Sequence, residues 1–280
     1  MVSMANILKP EKRAAIISAL VEGNSVRATA RMVNVSKNTV IKLLMDLGSA
    51  CAAYQFDALR NLPSKRAQVD EIWSFIYAKA KNVPQERRGQ FGFGDVWTFT
   101  AIDADSKLCI SWTLGTRDTG TATEFMQDVA GRLSHRIQLS TDGHAMYLDA
   151  VEDAFGAAID YAMIQKIYGT APEAETRYSP AICKGVKRYR VQGNPDPDHV
   201  STSYVERANL TMRMGMRRFT RLTNAFSKKL ANHEAMIAVF FMHYNFCRIH
   251  QTLRITPAMA AGVSDHVWEI GELVALMDSN

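Results

Sequence analysis

The chain has 280 residues, 47% of them hydrophobic and 22% charged, with a net charge of +5. That is the composition of an ordinary globular protein, long enough for one large domain or two modest ones. No run approaches the ~18 apolar residues of a membrane span, and no apolar segment precedes the first charges, so neither a membrane anchor nor a secretory leader is expected. Cys51, Cys109, Cys183 and Cys247 are scattered without a Cys-x-x-Cys pair. This argues against a zinc ribbon and a disulfide framework and fits a reducing cytoplasm.

In chain order, residues 10–47 read as three short helices. Pro10 opens the first, with Ile16, Ile17, Leu20 and Val21 as its apolar face, and Gly23-Asn24 ends it. Ser25 can cap the second (26–33), Asn34 suits a tight turn, and Ser36 can cap the third (37–47). Residues 48–66 read as a partly helical connector. A strand over 67–77 follows, AQVDEIWSFIY, then a polar, Gly-rich excursion to 95. Further strands are expected over 96–102, 107–114, 136–141 and 158–168, with helices over 119–134 and 146–155. Residues 169–200 read as loop, because Pro172, Pro180, Pro195 and Pro197 interrupt them. Helices over 202–222 and 228–247 follow, and an amphipathic helix over 267–277 ends the chain. Three strands, then helix, strand, helix, strand and helices, is the RNase H-like order: an antiparallel meander extended through helical crossovers. The expected fold class is therefore α/β, a mixed five-stranded sheet flanked by helices, preceded by an all-α unit. The expected boundaries are 1–47, a linker over 48–66, the α/β domain over 67–262 and a terminal helix over 263–280.

Three carboxylates carry the chemistry of this reading. Asp70 stands in the middle of an apolar strand, where a buried carboxylate must be paired, protonated or bound to a cation. Asp142 ends the 136–141 strand and is followed by Gly143, at the kind of strand end where α/β sheets bind ligands. Glu206 sits on the 202–222 helix. Oxygen ligands of this kind suit Mg²⁺ or Mn²⁺, and two such ions about 3.5–4 Å apart can activate a water or a 3′-hydroxyl and stabilise the leaving oxygen of an in-line phosphoryl displacement. Glu71 competes with Asp70 as ligand, but adjacent strand residues point to opposite faces, so at most one of the two faces the metal. From Lys184 to Lys229 there are eleven Lys/Arg against three Asp/Glu, a surface suited to tracking phosphates. Glu206, Asn209, Arg213 and Arg217 fall on one helical stripe, a carboxylate followed by DNA-facing groups.

The motifs VDEIWSF around Asp70, STDGH around Asp142 and SYVERANLTMRMGMRRFTRLTNAFSKK around Glu206 resemble those of bacterial insertion-sequence transposases of the DDE class, most closely the family of the element known as insertion sequence one. The tail YNFCRIHQTLRITPAMAAG resembles the ending common in that superfamily. By this resemblance Asp70, Asp142 and Glu206 are the catalytic acids and hold two Mg²⁺ or Mn²⁺ ions. SVRATARMVNVSKNTVIKLL resembles a helix-turn-helix, whose recognition helix would present Lys37, Asn38 and Lys42 to the major groove. A plain three-helix packing unit is the alternative for that segment. Relatives often carry an N-terminal zinc finger, and no cysteine pair here could form one. The implied function is binding of terminal inverted repeats in double-stranded DNA, metal-dependent 3′-end cleavage and strand transfer to target DNA. It would be performed by a dimer or larger assembly in the bacterial cytoplasm, with no membrane. The rival readings are a DNA-binding regulator on an inactive scaffold and a structure-selective nuclease.

Overall fold

In the computed structural model, which describes residues 8–169, 182–220 and 223–278, the chain opens with three helices. α1 (Pro10–Val21) begins on a proline, at a position where a backbone N–H would lack a helical partner anyway. Ser25 and Ser36 cap α2 (Val26–Met32) and α3 (Lys37–Ala58), each accepting from the backbone N–H three residues on. Asn34, in the turn between them, has φ 53°, a left-handed conformation that a short amide side chain tolerates. α3 does not stop at residue 47. It continues to Ala58 because its apolar face continues, burying Leu47, Ala50 and Cys51. Gly48 lets it lie against α7 (Leu230–Met242): a Cβ at Gly48 would stand 2.5 Å from the Cβ of Ala235.

The sheet has six strands in the order β3-β2-β1-β4-β5-β6. β1 (Arg66–Ile76), β2 (Gly94–Asp103) and β3 (Cys109–Gly115) form the expected antiparallel meander. α4 (Thr119–Arg132) carries the chain over to β4 (Ile137–Asp142), which pairs parallel with β1. α5 (Met146–Phe155) then leads to β5 (Ile159–Gly169), parallel to β4. The expectation of five strands is corrected by β6 (Ile182–Gln192), which runs antiparallel to β5 within the segment read as loop. In its sequence, ICKGVKRYRVQ, no residue from Cys183 to Gln192 is buried, and Lys184, Lys187, Arg188 and Arg190 are exposed. Backbone pairing with β5 defines this strand, so the period-two apolar signal that marks a half-buried strand is missing. Pro172 and Pro180, which suggested the loop, lie outside the described residues.

Side chains of β1 alternate between two layers. Glu71 is paired with Phe99 of β2, and Phe99 meets Phe125 of α4 and Tyr147 of α5, so this face is covered by α4 and α5. The opposite face, with Gln68 and Asp70, is covered by α6 (Ser203–Gly215). α6 is shorter than the 202–222 helix read from sequence. It ends at Gly215, where a Cβ would come within 2.8 Å of the Phe240 ring and 3.2 Å of the Val21 carbonyl oxygen. Met216 is extended and Arg217–Phe219 form a short 3₁₀ turn, so Arg217 does not continue the stripe of Glu206, Asn209 and Arg213. α7 ends in a π-turn over His243–Cys247. There the buried Asn245 clamps the start of β3, accepting from the Cys109 N–H at 2.9 Å and donating to its carbonyl at 3.0 Å. Two short helices, α8 (Pro257–Ala260) and α9 (Ile270–Ala275), close the described chain. Among the described residues no helix is long and apolar enough to cross a membrane.

Candidate metal centre

Register brings the first two acids together. β1 and β4 pair in parallel with Val69 beside Thr141, so the next residues along, Asp70 and Asp142, stand abreast. Carboxylate oxygens of Asp70, Glu71 and Asp142 all lie within 4.8 Å of one another. Asp142 ends its strand, and from there it can be approached from both layers of the sheet.

The two neighbouring acids of β1 are held very differently. Glu71 has a fully buried side chain. It accepts from the Tyr147 hydroxyl at 2.8 Å and from Arg117 Nε at 2.5 Å. Arg117 lies over the Trp97 ring, 4.7 Å from its centre, and its guanidinium also stands 3.5 Å from Asp142. Burial pushes the Glu71 carboxyl up and so does Asp142, while Tyr147 and Arg117 pull it down. Glu71 therefore already has a cation and a hydrogen-bond donor. Among the described residues Asp70 has no lysine or arginine within ion-pair distance, and the Lys166 charge acts on it only from further off. One of its oxygens accepts from Asn209 Nδ2 at 2.9 Å. Burial, followed by the charges of Glu71 and Asp142, pushes its carboxyl up to about 7. A cation between Asp70 and Asp142 would reverse that balance.

α6 is locked over this point by β1 itself. Gln68, two residues before Asp70 on the same face, accepts from the backbone N–H groups of Tyr204 and Val205 at 2.8 and 3.3 Å. A strand side chain thus satisfies donors of the first helical turn that no cap would otherwise reach. Val205, Ala208 and Met212 bury the apolar side of α6, and Asn209 then meets Asp70. Glu206 lies in the first turn of α6, where the positive end of the helix favours a carboxylate. It lines the same cleft as Asp70 and Asp142 but stands outside their cluster. Its Oε1 is ion-paired with Lys166 of β5 and accepts from Thr202 Oγ1 at 2.6 Å. The cleft has a volume of about 500 Å³, and Gly143, His144 and Tyr168 complete its rim. The His144 N–H donates to Asp142 Oδ1 at 3.1 Å.

The donor set fits a hard divalent cation. All of the converging side-chain atoms are oxygens, without thiolate or imidazole. Two buried polar atoms beside Asp70 also have no hydrogen-bond partner among the described residues: Oδ1 of Asn209, and Oγ1 of Thr100, directly across the ladder from Asp70.

Of the groups assigned to DNA from sequence, Lys37 and Asn38 are exposed at the start of α3. Lys42 is exposed and paired with Asp46 at 2.5 Å. Arg213 is half-buried and Arg217 exposed, whereas Asn209 is buried against Asp70. Sequence reasoning did not reach Arg117, Tyr147, Lys166 or Thr202. Only Thr202 left a signal, a hydroxyl four residues before Glu206 at the start of a helix. The other three come from elements that touch the acids only after folding.

No family model matches the chain, and no curated protein matches it. Among solved structures it is similar to the Mos1 strand transfer complex, at 15% identity over 57% of this chain and 61% of that one, with a TM-score of 0.25. It is also similar to the Mos1 mariner paired end complex with Mn, at 12% identity over 86% and 78% of the two chains and a TM-score of 0.30. A third is the piggyBac transposase synaptic complex with hairpin DNA, at 11% identity over 100% and 73% and a TM-score of 0.36. The chain spans about three fifths of the first of these. At such distances the functional reading rests on this chain's own residues.

Proposed function

We propose that this protein is a DNA strand-transferring enzyme of the DDE transposase class, built on an RNase H-like sheet, with Asp70, Asp142 and Glu206 as the acids that hold divalent metal. The observation that carries the reading is the abreast placement of Asp70 and Asp142 in a cleft whose other wall carries Glu206. Mg²⁺ or Mn²⁺ bound there would supply an activated water or 3′-hydroxyl and stabilisation of the leaving oxygen in an in-line displacement at phosphorus.

The chain's own residues have separable tasks. Asp70 and Asp142 offer oxygens from two adjacent strands, a rigid platform. Asn209 fixes the orientation of Asp70 through its amide. Arg117 and Tyr147 occupy both oxygens of Glu71, which leaves Asp70 and Asp142 to face the cleft. The His144 N–H fixes one oxygen of Asp142. On the reading of α2 and α3 as a helix-turn-helix, Lys37, Asn38 and Lys42 face the major groove of the terminal repeats. Arg213 on α6 and the exposed Arg217 in the turn beyond it would meet phosphates, and the exposed bases of β6 add to that basic surface. Joining two DNA ends calls for at least two copies of the chain.

The test uses a labelled duplex carrying the sequences that flank this chain's own coding sequence, with a supercoiled plasmid as target. The wild type nicks at 3′ ends and joins them to the plasmid only with Mg²⁺ or Mn²⁺. D142A binds the duplex and does neither. Nicking that survives in D142A rejects the assignment, binding without metal dependence favours a regulator, and cutting without joining favours a nuclease.

A further inference from the structure

Asp70 and Glu206 face one cleft but are engaged by different partners. Asp70 is met by an amide, whereas Glu206 is met by a cation. That cation belongs to β5. In the β4–β5 register Asp142 lies beside Ile164, and the period of two puts Lys166, two residues on, on the same face of the sheet. From there the Lys166 ammonium reaches across the cleft to Oε1 of Glu206, the oxygen that also accepts from Thr202. The pair is partly covered, with the Lys166 side chain 29% and the Glu206 side chain 40% exposed. It is therefore less screened than a free surface pair.

We propose that Lys166 is a built-in counter-ion for Glu206, which a second divalent cation must displace, so that the two metal sites fill in order. The proposal rests on the metal-centre reading above. The first ion needs only Asp70 and Asp142: among the described residues Asp70 has no ion pair, and Asp142 has only the Arg117 guanidinium, 3.5 Å away and bound more closely to Glu71. The second needs Glu206, and there it meets an ammonium already in place. A divalent ion on either oxygen of Glu206 would sit within a few ångströms of that ammonium, and like charges at such separations repel strongly. Lys166 thus holds the third acid oriented while lowering its affinity for metal. It is a positioning residue that sets the order of loading.

The experiment is a calorimetric Mn²⁺ titration at pH 8 of the full chain as wild type, K166M, K187M and D70N. Lys187 is exposed on β6 and pairs with Gln165, so it points away from the Lys166 face and controls for the loss of one charge. The wild type binds a first ion and then a second more weakly. K166M tightens the second event by about tenfold or more and leaves the first within about threefold, whereas K187M moves neither beyond about threefold. K166R, which keeps the charge, reproduces the wild type and stands in as the comparison if K166M does not fold: a second event tightened about tenfold in K166R then overturns the proposal. A second event in K166M within threefold of the wild type, or an equal gain in K187M, overturns it as well. D70N loses the first event. If D70N binds Mn²⁺ like the wild type, or the wild type binds none, the metal-centre reading itself fails, which the K166M comparison alone cannot produce.

Discussion

Replacing Asp70 by Asn should make the metal-free protein more stable at alkaline pH. The substitution keeps the shape and an oxygen that can accept from Asn209, and it removes a charge that burial, Glu71 and Asp142 all oppose. The Asp70 carboxyl moves from an ordinary 3.8 to about 7. At about 1.4 kcal/mol per unit, that shift sets an upper limit of roughly 4 kcal/mol, and solvent screening in the open cleft brings the expected gain to about 1–3 kcal/mol. The sign follows from proton uptake. Between the unfolded and folded values the folded chain holds a proton that the unfolded chain has released, so wild-type stability falls as pH rises through that window and is flat above it. In EDTA at pH 8, D70N should therefore melt roughly 3–8 °C above the wild type, and the gap should close toward pH 4.5. Saturating Mg²⁺ should reverse the order, because binding at one hundred times Kd adds about 2.7 kcal/mol to the wild type alone. Equal melting temperatures in EDTA at pH 8, or a gap that does not change between pH 4.5 and 8, would refute the reasoning.

Other substitutions probe the supports of the site. R117A leaves Glu71 buried without its cation and should cost about 2–4 kcal/mol by chemical denaturation; the double variant R117A/E71Q should recover at least half of that, and additive losses would deny the coupling. G48V forces α3 away from Ala235 and should cost about 1–3 kcal/mol or more, read from the urea midpoint, whereas an unchanged midpoint would mean the two helices can separate freely.

Much of this architecture is legible in the sequence because local chemistry and final structure agree. Ser25, Asn34 and Ser36 announce α2, its turn and α3, and the apolar runs of the meander announce β1 to β3. Asp70 and Asp142 stand out in the sequence because carboxylates in an apolar strand, or at a strand end before glycine, conflict with their surroundings unless something binds them. Three features were not legible, each for its own reason. From Cys183 to Gln192 β6 buries no residue and offers no periodicity to read. The end of α6 is set by Phe240 and the Val21 carbonyl pressing on Gly215, a contact between residues far apart in the chain. Alternation along β1 correctly sends Glu71 and Asp70 to opposite layers. It gives no warning that Asp142, at the end of its strand, stays within reach of both, or that Arg117 engages Glu71 and Asp142 while Lys166 engages Glu206.

The most direct test of the central claim is an anomalous difference map from crystals of the full chain grown in Mn²⁺. The account predicts a peak between Asp70 and Asp142, about 2.1–2.2 Å from an oxygen of each. A map without density there, or with manganese bound only elsewhere, would contradict it.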